Sequence, residues 1–200
     1  GVVRVMEDAG HRAAHGFDIV LYGTLPNGAG LSSSASIEVL MAVILNDELN
    51  LGIDMVELVK FSQKAENEFV GMNCGIMDQF AVGMGKKDCA ILLDCNTLSY
   101  RYSKLALDGC SIVITNTNKT HSLVTSAYNE RRAQCESALK ALQKVKPIKA
   151  LGELTNAEFD AIASAIPDPV ERRRARHAVY ENNRTLEAVK ALEANDVKRF

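Results

Sequence analysis

The ten residues Pro26-Asn27-Gly28-Ala29-Gly30-Leu31-Ser32-Ser33-Ser34-Ala35 constrain this chain more than any other stretch. They lie between a β-favouring run, 17–22, and a long apolar segment, 34–49, whose pattern is helical. Gly28 and Gly30 free the backbone for positive φ and for close approach of a ligand to the main chain. Serines then open the helix, where unpaired N–H groups and the positive end of the dipole favour an anion. Hydroxyls at that spot can hydrogen-bond phosphate oxygens or ligate a hard cation such as Mg2+. The plainer alternative is that the glycines turn the chain and the serines cap the helix, although a single serine suffices for a cap. A Walker A loop requires Gly-Lys-Ser/Thr and a nucleophile elbow requires Gly-x-Ser-x-Gly; the stretch contains neither. It therefore predicts a phosphate cradle of another kind.

Two acids stand where acids are costly. Glu66 falls on or beside the apolar stripe (Met55, Val56, Leu58, Val59, Ser62, Ala65, Phe69) of a helix read over 54–69. A carboxylate there requires a cation or hydrogen bonds. Asp78 sits in Gly75-Ile76-Met77-Asp78-Gln79-Phe80, an apolar setting near the start of a short helical segment, 76–82. Taken singly, Glu66 also reads as a helix-edge acid and Asp78 as a capping one. Taken with the serine loop, the set supplies the parts that phosphoryl transfer needs. These are a backbone cradle, a hydroxyl and carboxylate for Mg2+, and a second carboxylate to position or deprotonate an attacking hydroxyl.

Strand patterns follow at 90–93, 98–102 and 110–115, and helical ones at 122–145, 156–166 and 169–195, punctuated by Pro147, Pro167 and Pro169. The 34–49 helix is apolar almost all round, which predicts burial on every face. The mixture of strand and helix before about residue 120, and helix alone after it, predicts an α/β (α+β) fold in two domains. Their expected extents are 1–104, carrying the loop and Asp78, and 105–200, mostly helical. The 23 Lys and Arg nearly cancel the 25 Asp and Glu, so the chain lacks the basic excess of a nucleic-acid binder. No apolar run reaches the roughly 18 residues of a membrane span, and the start has no signal-peptide pattern. The five cysteines, odd in number and without a C-x-x-C pair, read as reduced thiols of a cytoplasmic protein, with Cys74, close to Asp78, as a candidate reactive one. His121 and His177 have no ligand spacing, and the basic run Arg172-Arg173-Arg174 with Arg176 reads as a solvated helix face. The chain opens without Met and closes inside a helical pattern at Lys198-Arg199-Phe200, the mark expected of a segment excised from a longer protein.

The stretch 26–38, ending Ser36-Ile37-Glu38, resembles the second signature of the GHMP small-molecule kinases in the form found in galactokinases. The run 66–80, Glu-Asn-Glu-Phe-Val-Gly-Met-Asn-Cys-Gly-Ile-Met-Asp-Gln-Phe, is similar to the segment carrying that family's catalytic aspartate. Asn116-Thr117-Asn118, His121-Ser122-Leu123 and Tyr128-Asn129-Glu130-Arg131-Arg132 look like the approach to its long helix. The resemblance implies a two-domain GHMP-kinase fold and ATP-dependent phosphorylation of galactose at its C1 hydroxyl. It implies Asp78 as general base, Ser34 and Glu66 as Mg2+ ligands, and Pro26, Gly28, Ala29, Gly30, Leu31, Ser32, Ser33 and Ser34 around the ATP phosphates. Gly75 and Tyr128, together with Asp78, are then the sugar contacts. It further implies galactose and ATP as the partners, with no nucleic acid and no membrane, and a monomeric parent enzyme. The family's N-terminal and C-terminal signatures are not found, so the segment alone is expected to be inactive and prone to self-association. A related kinase acting on N-acetylgalactosamine, a non-catalytic galactose sensor and a purely structural helical domain are the alternatives. The complete serine run speaks against the sensor, and the structural reading leaves Glu66 unexplained.

Overall fold

The computed structural model describes residues 1–26, 29–107, 109–116 and 126–200. Two compact units emerge, Gly1–Tyr102 with Gly109–Thr125, and Ser103–Asp108 with Ser126–Phe200.

In the first unit, four helices pack together: α1 (Val2–Asp8), α2 (Ser33–Glu48), α3 (Met55–Ala65) and α4 (Met77–Met84). Helix α3 touches each of the other three and forms the centre. Asp54 caps it, its carboxylate accepting from the N–H groups of Val56 and Glu57. Val2, Val5 and Met6 of α1 bury against Ala42, Leu45, Leu58 and Ala65. Val39, Val59, Ile76 and Phe80 form a second cluster, at which Phe80 meets the Tyr100 ring edge-on at 5.1 Å. Strands β1 (Cys89–Leu93) and β2 (Tyr100–Lys104) pair into a two-stranded sheet, and the Tyr102 hydroxyl donates to the Met84 carbonyl at the end of α4.

Three expectations need correction here. The runs 17–22 and 110–115 form no strand, and their apolar side chains, Val20 at 97% and Val113 at 81% among them, face solvent. β-propensity reports fitness for a pleated, half-buried surface, and among the described residues no strand lies beside these segments to provide one. Helix α2 buries one stripe, Ala35, Val39, Ala42 and Leu45, and leaves Ile37 and Leu40 exposed. The bundle covers one side of that helix, so an apolar outer face does not by itself bring burial. Phe69, expected in the α3 stripe, is exposed. The helix widens after Ala65 into a π-turn, Glu66–Val70, and the extra residue per turn rotates Phe69 away from the core.

The second unit is helical throughout: α5 (Ser126–Leu142), α6 (Asn156–Ile162) and α7 (Pro169–Glu193). Its core joins Ala138 and Leu142 to Ile148, Leu151, Leu154, Phe159, Ile166, Ala175 and Val179. The starts of α6 and α7 are chemically marked. Thr155 and Glu158 form a reciprocal capping box at α6. Asp168 caps α7, with Pro169 pre-setting its first turn. The basic run is held within this unit, Arg172 donating to the Ile166 carbonyl and Arg174 to Gln134. Among the described residues no helix is long and apolar enough to cross a membrane.

Candidate active site

Gly30 takes φ +73, and Ser32 follows in the left-handed region at φ 54, uncommon for a residue with a side chain. Ser32 stands at the N-cap of α2, where a capping serine normally has extended backbone and accepts from the first turn. It makes no such side-chain bond. The first-turn N–H groups of α2 are thus left uncapped by the Ser32 side chain. Ala29, Leu31 and Ser33 are half-buried, Pro26 is exposed, and Gly28 lies outside the described residues.

Glu66 is 4% exposed, at the first position of the π-turn, a feature frequent at functional sites. Its Oε1 accepts from the Ser34 hydroxyl at 3.1 Å, which ties α3 to the mouth of α2. Its Oε2 accepts from the Gln79 amide at 2.5 Å and from the Cys74 thiol at 3.7 Å. The Gln79 amide also donates to Glu38 Oε2 at 3.1 Å, so one fully buried amide bridges two carboxylates. The hydrogen-bond donors to Glu66 are all uncharged. No ion pair among the described residues includes Glu38 or Glu66.

Electrostatics record the crowding. Burial, reinforced by the neighbouring Glu66, pushes Glu38 up from 4.5 to about 7 against the opposing pull of the Gln79 amide. Burial and the two nearby carboxylates push the Cys74 thiol to about 12. That corrects the expectation of a reactive Cys74: its thiol donates to Asn67 and Glu66 and resists ionisation.

Asp78 occupies the first turn of α4 and is exposed, whereas Ile76, Gln79 and Phe80 around it are buried. The apolar setting read from the sequence therefore belongs to its neighbours. Gly75 is exposed on the turn before α4, and Tyr128 is exposed on α5 in the second unit. Asn118, His121 and the rest of 117–125 lie outside the described residues. Sequence reasoning missed Glu38 and Gln79. The first could have been found from its position four residues after Ser34 on α2, which sets both on one helix face.

Burying a carboxylate among uncharged donors and beside a second acid is costly in the absence of a nearby positive charge. Residues 1–86 match the family described as GHMP kinases N terminal domain. At full length the chain is similar to galactokinases. It is 62% identical over 200 residues to that of Clostridium beijerinckii, covering 100% of this chain and 51% of that protein. Against the galactokinase of Clostridium acetobutylicum it is 63% identical over 200 residues, with the same 100% and 51% covered. The solved Lactococcus lactis galactokinase in complex with galactose superposes with a TM-score of 0.84 at 43% identity, covering 97% of this chain and 50% of that one. The chain spans about half the length of the curated relatives it matches.

Proposed function

We propose that this chain forms part of a galactokinase, which transfers the γ-phosphoryl group of ATP to the C1 hydroxyl of galactose and releases ADP. The observation that carries the reading is the buried Glu66 carboxylate fixed against Ser34 at the mouth of α2. End-to-end similarity to galactokinases supplies the substrate.

The residues present fit Mg2+. That ion takes one or two protein carboxylates or hydroxyls and completes its shell with phosphate oxygens and water. The Ser34 hydroxyl and the Glu66 carboxylate, already within 3.1 Å of each other, are both hard oxygen donors of the kind Mg2+ takes. Ser34 and Glu66 would hold the ion, which when bound neutralises charge on the β- and γ-phosphates.

The chain's own groups do the rest. Main-chain N–H groups from Gly28 to Ser33 cradle the phosphates, with Pro26 shaping the entry to the loop. Asp78, exposed on α4, accepts the proton of the C1 hydroxyl as its oxygen bonds to the γ-phosphorus and the bond to the β–γ bridging oxygen breaks. Gly75 through its backbone and Tyr128 through its hydroxyl contact the sugar. The five thiols are free, which supports a reducing, cytoplasmic setting. For the natural full-length protein we favour a monomer. In that protein, Asp78→Asn is expected to lower ADP release with galactose by about 10²–10⁴-fold while calorimetry still registers galactose binding. Unchanged turnover removes Asp78 from the mechanism, and a preference for N-acetylgalactosamine in a sugar panel replaces the substrate.

A further inference from the structure

Gln79 is completely buried, yet its side chain is poorly served. Its amide nitrogen donates to Glu66 and to Glu38, and its carbonyl oxygen has no partner among the described residues. Turning the amide over would present that oxygen to two carboxylates and take from both the donor they share, so the observed orientation is the one the acids demand. A buried carbonyl without a partner is an expense a packing residue would not carry, since Leu or Met would fill the same space without it. The arrangement makes sense when the fork is what matters. Glu66 Oε2 is held on the Gln79 side, and Oε1 is thereby left toward Ser34 and the mouth of α2. Helix α4 also carries Asp78, one residue before Gln79, so a single turn both presents the exposed acid and steadies the buried one.

We propose that Gln79 is a positioning residue: it clamps Glu66 against Glu38 and so fixes the carboxylate for divalent-cation and nucleotide binding. The proposal rests on the reading of Glu66 and Ser34 as the cation-holding pair. Removing a group that orients a metal ligand ordinarily weakens metal binding by about 10–100-fold. The test is Mn2+ binding in the presence of ATP, followed by the loss of the free Mn2+ paramagnetic resonance signal in the natural full-length protein, alongside thermal unfolding. Gln79→Met, of similar length without a donor, is expected to weaken Mn2+ binding by about 10–100-fold. The double variant Gln79→Met with Glu38→Gln is expected to recover most of that loss, because the new amide can donate to Glu66 from the other side. Gln79→Asn keeps an amide but withdraws it by one carbon; it is expected to weaken binding as well, and serves if Gln79→Met does not fold. A lowered melting temperature with Mn2+ affinity intact would make Gln79 a packing residue and overturn the proposal. Glu66→Gln is the control that separates the two ideas. If it weakens Mn2+ binding and neither Gln79 variant does, the clamp fails alone. If it has no effect, the reading of Glu66 fails and the clamp with it.

Discussion

Glu66 offers the sharpest test of whether its buried carboxylate is kept for a ligand or for the fold. Three donors converge on it, from Ser34, Gln79 and Cys74; truncation to Ala removes that acceptor and leaves one buried Gln79 N–H unpaired, while the amide still reaches Glu38 and the thiol Asn67. A buried donor left unsatisfied costs about 1–3 kcal/mol, but the Ser34 hydroxyl is partly accessible and the thiol is a weak donor. Glu66→Ala is therefore expected to destabilise the protein by about 2–4 kcal/mol, most of it through Gln79. Glu66→Gln behaves differently. Its carbonyl still accepts from Gln79, and its amide donates to Ser34, whose hydroxyl can turn to accept. The variant loses one charge-assisted bond of about 1.5–3 kcal/mol and gains from no longer burying a charge, so its stability should lie within about 1 kcal/mol of the parent. Urea unfolding followed by far-ultraviolet circular dichroism measures both, tryptophan being absent from the sequence. If Glu66→Gln is as damaging as Glu66→Ala, the charge is part of what holds the bundle together, and the argument that it awaits a cation collapses.

Other expectations follow from the same geometry. Because the Glu38 carboxyl is raised from 4.5 to about 7 in the folded chain, the folded state holds its proton longer than the unfolded one. Its contribution to stability is thus full below about pH 4.5 and is lost as pH rises to about 7; the stability difference between the parent and Glu38→Gln should fall across that window, and a flat difference refutes the assignment. With its thiol pushed to about 12, Cys74 should react with iodoacetamide about a thousandfold more slowly at pH 8 than an ordinary thiol of 9.0, whereas equal labelling in peptide mapping would contradict its bonds to Asn67 and Glu66. Phe80→Ala removes a buried ring packed edge-on against Tyr100 and should cost about 3–5 kcal/mol by chemical denaturation. A cost under about 1 kcal/mol would mean that the cluster with Val39, Val59 and Ile76 closes over the gap.

Helix positions were legible because their signals are local. Asp54, Thr155 and Asp168 cap the helices they precede, and the apolar spacing of α3 through Ala65 places its stripe correctly. The strands at 89–93 and 100–104 were legible for a related reason: each has the other beside it in the sheet. The equally β-favouring 17–22 and 110–115 were misread because pairing depends on a neighbour in space. Phe69 was misread because a π-turn changes the residues per turn without a signal in the apolar pattern. At the site, the serines, Glu66 and Asp78 could be picked out because each residue type is costly or unusual where it stands. Glu38 and Gln79 carry no such mark, since an acid and an amide on helices read as surface residues.

The sequence alone determined the chemistry on offer: flexible glycines, hydroxyls opening a helix, and acids within apolar runs, each dictated by the steric and solvation properties of a single residue in its local segment. Only the tertiary structure decided which of these meet. It joined Ser34 to Glu66 across two helices, bridged Glu66 to Glu38 through Gln79, sealed Cys74 into the same network and left Asp78 at the surface. Hydrogen-bond partners, burial and the field of neighbouring charges are relations between segments distant along the chain, and packing is the step that fixes them.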